Sequence, residues 1–174
     1  MSISKDYVEN LRRFYHLEPL PVEGGLFRRT YLSAEHLEQE ALPFRYPEAH
    51  PFGSAILYMM NGDPDCFSAL HVLPTDEVYH FYLGDPVEML LLYPDGHSEH
   101  IILGQDIFSG QQVQFVAPRG VWQGSHLRPG GSYALIGTTM APGFIDSDYV
   151  GGVRENLKQQ YPKESSLIQQ LTRD

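Results

Sequence analysis

The sequence predicts an all-β barrel or sandwich with helices at both ends. Three observations carry this. Short apolar or alternating runs recur between residues 26 and 139, turn signals separate them at close intervals, and 11 Tyr and 9 Phe stand against only 12 Lys and Arg. A chain of 174 residues is long enough for one well-buried core, and no repeat, low-complexity tract or linker divides it, so 1–174 is expected to be a single domain.

Taken in order, residues 5–17 carry Tyr7, Val8, Leu11, Phe14 and Tyr15 at helical spacing, with Ser4 as an N-cap, and predict an amphipathic helix. Glu18-Pro19-Leu20-Pro21 ends it, because two prolines force extended backbone. A barrel is expected over about 22–145, with strands near 26–31, 54–60, 67–72, 77–83, 88–93, 99–102, 113–116 and 133–139. The turns between them are marked at Asn61-Gly62-Asp63-Pro64, Gly84-Asp85-Pro86, Pro94-Asp95-Gly96, Arg119-Gly120 and Pro129-Gly130-Gly131. Residues 33–52, with Pro43, Pro47 and Pro51, read as an irregular excursion over the surface or a barrel mouth. Helices return over about 152–172, one after Gly151-Gly152 and one after Pro162 with Leu167, Ile168 and Leu171 in register.

Charge and composition exclude several function classes. The net charge is −10, from 22 acidic against 12 basic residues with no basic cluster, so nucleic acid is not an expected partner. Cys66 is the lone cysteine, which rules out an intrachain disulfide, and nothing around it activates a nucleophile. The first residues lack the apolar core of a secretory signal and the run 55–60 is too short to span a bilayer, so the expectation is a cytoplasmic protein with no membrane partner.

Two segments resemble the paired motifs of the cupin superfamily. His71, Leu73, Glu77 and Gly84 follow the pattern His-x-His, three or four residues, Glu, six residues, Gly, with Leu73 in the place of the second histidine. Pro118-Arg119-Gly120-Val121-Trp122-Gln123 follows Pro-x-Gly-x-x-His, with Gln123 in the histidine's place. Glu23-Gly24-Gly25 with Phe27, Arg28 and Tyr31, Asp76 to His80, Gly84-Asp85-Pro86 and Ala141 to Phe144 are similar to one small RmlC-like branch of single-domain cupins, with no firmly assigned reaction. The resemblance implies an all-β double-stranded β-helix (a cupin jelly-roll barrel) with flanking N- and C-terminal helices, usually a homodimer.

Strand alternation places His71 with Leu73 on one face, and Glu77 with Tyr79 and Phe81 on another; in a cupin barrel both look inward. A full cupin metal site offers three imidazoles and a carboxylate. Here only His71 and Glu77 remain, beside the weak neutral ligand Gln123, so no cofactor is expected and a divalent metal only as the weaker alternative. Three readings follow. In the first, a small-molecule ligand, a sugar or keto acid derivative, is isomerised or epimerised without metal: His71 is the base, Glu77 or an acidic neighbour its orienting partner, Tyr79 or Tyr31 the acid and Arg28 an oxygen anchor. Glu23, Phe81 and Gln123 complete the expected ligand-binding set, with Glu23 and Glu77 the expected partners of Arg28. In the second, the same pocket binds a small ligand and turns nothing over. In the third, a metal-dependent cupin enzyme uses His71, Glu77, Gln123 and water. His16, His36, His50, His97, His100 and His126 read as surface residues, Trp122 as packing, and Asp146 and Asp148 as capping residues of a turn.

Overall fold

The computed structural model describes residues 5–173. The expected N-cap Ser4 lies outside them. The first helix, α1 (Lys5–Phe14), stops earlier than its apolar spacing suggests. His16 turns into the left-handed region at φ 52°, and the amides of His16 and Leu17 donate to the carbonyls of Arg13 and Arg12. These two bonds form the Schellman closure that satisfies the last carbonyls of a helix.

Thirteen strands follow among the described residues. They are β1 (Glu18–Pro19), β2 (Leu26–Leu32), β3 (His36–Leu37), β4 (His50–Pro51), β5 (Ser54–Asn61), β6 (Ser68–Val72), β7 (Glu77–Gly84), β8 (Val87–Leu92), β9 (Ser98–Leu103), β10 (Gln114–Ala117), β11 (Trp122–Leu127), β12 (Tyr133–Met140) and β13 (Val150–Gly151). Six form one sheet in the order β1-β2-β5-β12-β7-β10, and five form a second in the order β13-β6-β11-β8-β9. All pairings within these two sheets are antiparallel. Two helices, α2 (Arg154–Gln160) and α3 (Ser165–Gln170), close the chain. The expected excursion over 33–52 contains a two-stranded ribbon, β3 with β4, and a 3-10 turn at Gln39–Ala41.

Period-2 alternation assigns each strand face to one of three apolar layers. Tyr58, Met60, Tyr79, Phe81, Met89, Leu91, Ala134 and Ile136 meet between the sheets. Leu90 and Leu92 point the other way, onto Leu157, Tyr161, Ile168 and Leu171 of the C-terminal helical segment. That is why Met89–Leu92 is apolar without alternation: both faces are covered, and each leucine contributes about 2 kcal/mol of burial. Met59 and Leu135 face outward under Leu17, Val8 and Leu11, which seats α1 on the back of the six-stranded sheet. Gly84 ends β7 at φ 102°, and a Cβ there would come within 2.3 Å of the Tyr133 carbonyl oxygen, so glycine is required. Asp85 then accepts from the amides of Ser132 and Tyr133, tying the turn to β12. No helix of the described residues is long and apolar enough to cross a membrane.

Candidate functional site

Register brings the two motifs together. Gln123 of β11 lies directly opposite His71 of β6, so their side chains share a face, and that face looks at the start of β7, where Glu77 sits in the opposing sheet. The Gln123 amide nitrogen is 2.6 Å from Glu77 Oε2 and 3.2 Å from His71 Nε2. Tyr79, two residues along β7, donates its hydroxyl to the same Glu77 oxygen at 3.0 Å, and Thr138 of β12 adds a further bond. His71 Nδ1 meets the Ala69 carbonyl at 2.7 Å. His71 and Gln123 are each 2% exposed, so every unmade bond here carries a full desolvation penalty. Gln123 Oε1 is buried with no partner among the described residues.

A cavity of about 550 Å³ opens onto this cluster. Glu23, His71, Leu73, Glu77, Thr138 and Tyr149 line it, with Phe27, Ile56, Met140 and Phe144 as apolar wall and His16, Glu18, Arg28, Arg29 and Asp146 also along it. Glu23 enters from the loop before β2, where Ser68 donates to its Oε1 at 2.6 Å. Tyr149 stacks on His71 with ring centroids 5.1 Å apart, placed there because Gly151 of β13 pairs with His71.

Electrostatics separates the three ionisable groups. Burial opposes charge on His71, but the carboxylates of Glu23 and Glu77 outweigh it and push the imidazole pKa up to about 9. Burial also raises Glu23, and here it wins over the nearby imidazole. Glu77 is buried as well, yet its bonds to His71, Thr138 and Tyr79 hold its pKa below the ordinary value. The phenols of Tyr79 and Tyr149 are raised by burial, Tyr149 to about 12. With Nδ1 bonded to Ala69, the neutral imidazole accepts the Gln123 amide hydrogen at Nε2. A second ring proton at Nε2 requires the amide to turn, bringing the unpartnered Oε1 to that nitrogen and breaking the 2.6 Å contact with Glu77.

Of the residues expected from sequence, Glu23, Arg28, His71 and Glu77 line the cavity, while Tyr79 and Gln123 stand behind Glu77 and touch it. Phe81 is buried in the layer between the sheets and Tyr31 is exposed; neither lines the cavity. Arg28 bonds neither expected carboxylate. It pairs with Leu57, whose side chain packs beneath α1, and its guanidinium donates to the Tyr15 carbonyl at 3.2 Å. Arg29, opposite the cavity residue Ile56, is the arginine whose strand position faces inward. His50 is not a surface residue: it is fully buried, with Nε2 3.0 Å from Asp148 and Nδ1 2.8 Å from the Glu48 carbonyl. Asp148 also accepts the Ile145 amide, so it caps the turn that leads into Tyr149.

Residues 9–150 match the profile of the cupin superfamily (DUF985). The chain belongs to the cupin superfamily. This cupin is similar over 99% of both chains to a crystallographically determined protein from Shewanella oneidensis, at 29% identity and a TM-score of 0.79. It is also similar to a hypothetical protein from Leishmania major, at 22% identity and a TM-score of 0.83 over 95% of this chain and 98% of that one. Oxalate decarboxylase from Bacillus subtilis shares the fold at 13% identity and a TM-score of 0.50, over 89% of this chain and 37% of that enzyme. No curated protein matches. The cupin is a β-sandwich of jelly-roll type with flanking helices.

Proposed function

We propose that this cupin takes a small carbonyl-bearing molecule, of the sugar or keto acid kind, into the 550 Å³ cavity and moves a proton on it without a metal, as an isomerase or epimerase does. One observation carries the reading: an imidazole, two carboxyls and a phenol converge on one apolar-walled cavity between the sheets. The donor chemistry does not suit a divalent ion. Leu73 offers no ligand, Gln123 offers only a neutral amide, and no cluster of three His, Cys, Asp or Glu side chains among the described residues could hold a metal.

The contacts redistribute the roles assigned from sequence. The carboxylates of Glu23 and Glu77 favour the imidazolium and Nδ1 is held on the Ala69 carbonyl, so His71 serves as a positive charge that steadies negative charge developing on the ligand. Tyr79 is committed to Glu77, whereas the hydroxyl of Tyr149 has no partner among the described residues and suits donation to a carbonyl oxygen as it becomes an enolate. The test is a thermal-shift screen of 2-keto acids, keto-sugar phosphates and nucleotide sugars, followed by proton NMR of each hit in D2O with the protein present. Protein-dependent loss of a C–H signal next to the carbonyl is the expected result. Hits that bind and never exchange refute turnover and favour the second reading, a non-catalytic binding protein. The closed hydrogen-bond set around His71 and Glu77 supports that second reading.

A further inference from the structure

Glu23 and Glu77 both act on His71, but only one of them has an oxygen to spare. Glu77 is saturated by Gln123, Tyr79 and Thr138. Glu23 receives one bond, from Ser68 to Oε1, and its other oxygen has no partner among the described residues although the side chain lines the cavity.

The backbone that presents Glu23 is held in an unusual shape. Val22 lies at φ 68°, a left-handed conformation that a β-branched residue adopts only when its surroundings enforce it, and Gly24 and Gly25 follow at φ 100° and 71°. The Gly24 amide donates to the Leu20 carbonyl and the Leu20 amide to the Gly25 carbonyl, closing residues 20–25 into a bracket. Tyr58 fixes one side by donating to the Gly24 carbonyl at 2.8 Å. Arg173 fixes the other. Its guanidinium lies 4.2 Å from the Phe67 ring centroid and donates to the carbonyls of Glu23 at 3.3 Å and Asp65 at 2.9 Å. A Cβ on Gly24 would come within 2.0 Å of Arg173 Nη2, so the bracket and the arginine are fitted to one another.

We infer that Glu23 is the catalytic residue that carries the proton and that Arg173 is the positioning residue that aims it, by clamping the strained bracket that presents it. The inference rests on the proton-transfer reading above. In the step, the ionised Glu23 carboxylate takes a hydrogen from the carbon next to the ligand's carbonyl: the C–H bond breaks, an O–H bond forms on Glu23, and the C–H electron pair moves to give the enolate. Return of the proton to carbon on the other face, or to the neighbouring position, restores the carboxylate, and nothing is oxidised. Burial agrees with the assignment in direction, raising the Glu23 pKa above the ordinary carboxyl value and making the group a stronger base than a solvated carboxylate. The groups that act on Glu23 are His71, Glu77, Ser68 and Arg173, and it acts in turn on Tyr58, Tyr79 and Tyr149.

The experiment uses the full chain with pyruvate, 2-oxobutanoate and dihydroxyacetone phosphate in D2O. Glu23→Gln is expected to keep the native fold by circular dichroism and the ligand-induced thermal shift while slowing exchange by about 100-fold or more. Arg173→Gln is expected to lower kcat with KM little changed and to move the acid limb of the pH profile upward, because the guanidinium no longer favours the carboxylate; Arg173→Lys restores part of the rate. Exchange by wild type that survives Glu23→Gln overturns this inference alone. An Arg173→Gln variant that loses melting temperature with its pH profile unmoved reduces that residue to a structural tie and overturns its role. Wild type that binds a probe and exchanges none overturns both the inference and the reading beneath it.

Discussion

The charge on His71 is the quantity from which the site's behaviour can be measured without a known ligand. Its pKa stands at about 9 against an ordinary 6.5, which at about 1.4 kcal/mol per pH decade is roughly 3 kcal/mol of preference for the imidazolium in the folded state. The folded-state value is the higher one. This stability is therefore fully present below pH 6.5 and lost as pH rises through about 9. Glu77 works in the opposite sense: its folded value lies below the ordinary 4.5, so its contribution is present above that pH and lost in acid. The perturbation is Glu77→Gln, which removes the nearest negative charge, 3.9 Å from Nε2, while keeping an oxygen for Tyr79 and Gln123. Burial then opposes Glu23 alone, and the His71 midpoint is expected to drop by a pH unit or more. Proton NMR of the imidazole C–H signals reads the midpoint directly. Urea unfolding at pH 6.5 and 9 reads the linked stability, as a midpoint change of about 1 M or more in wild type that shrinks in the variant. A wild-type His71 titrating near 6.5, or a midpoint unmoved by Glu77→Gln, refutes the reasoning.

Restoring the cupin ligands with Leu73→His and Gln123→His together is expected to create a divalent site: added Mn²⁺ or Zn²⁺ should raise the melting temperature of the double variant and leave wild type unchanged, and an equal rise in wild type refutes the donor-set argument. His50→Ala removes the bonds to Glu48 and Asp148 and leaves a buried carboxylate short of a partner, at a cost of roughly 2–4 kcal/mol in urea unfolding; a loss under 1 kcal/mol would show that the pair is slack.

What the sequence made legible follows from how local each signal is. The eight expected strands stand within a residue or so of their positions because their boundaries are written in nearby turn residues, as at Asn61 to Pro64, where Asn61 and Asp63 accept the amides of Asp63 and Asp65. β11 was not among them. Gln123-Gly124-Ser125-His126 lacks β-branched and aromatic residues, and what makes it a strand is pairing on both sides with β6 and β8. The same holds in the site. Alternation alone aligns Glu77 with Tyr79, whereas nothing near His50 announces Asp148, 98 residues away, and nothing near Tyr149 announces that β13 will lay it on His71. Arg28 and Arg29 are adjacent in sequence and opposite in face, a distinction fixed by register with β5 beside the irregularity between Arg29 and Tyr31.

The two departures from the cupin motif make sense together. A divalent cation held by three imidazoles and a carboxylate supplies the positive charge that a buried carboxylate needs. Leucine at 73 and glutamine at 123 remove two of those ligands, and among the groups that stay the positive charge comes from the imidazole. His71 supplies it between Glu23 and Glu77, and the amide at 123 is a neutral group whose nitrogen lies against both the imidazole and the Glu77 carboxylate. A second imidazole, at 123, without metal would add a second buried cation or an unpaired ring nitrogen, each costly in a position 2% exposed. Loss of both leaves a chain of titratable groups, Glu23, His71 and Glu77, in which moving one proton changes the preference of the other two.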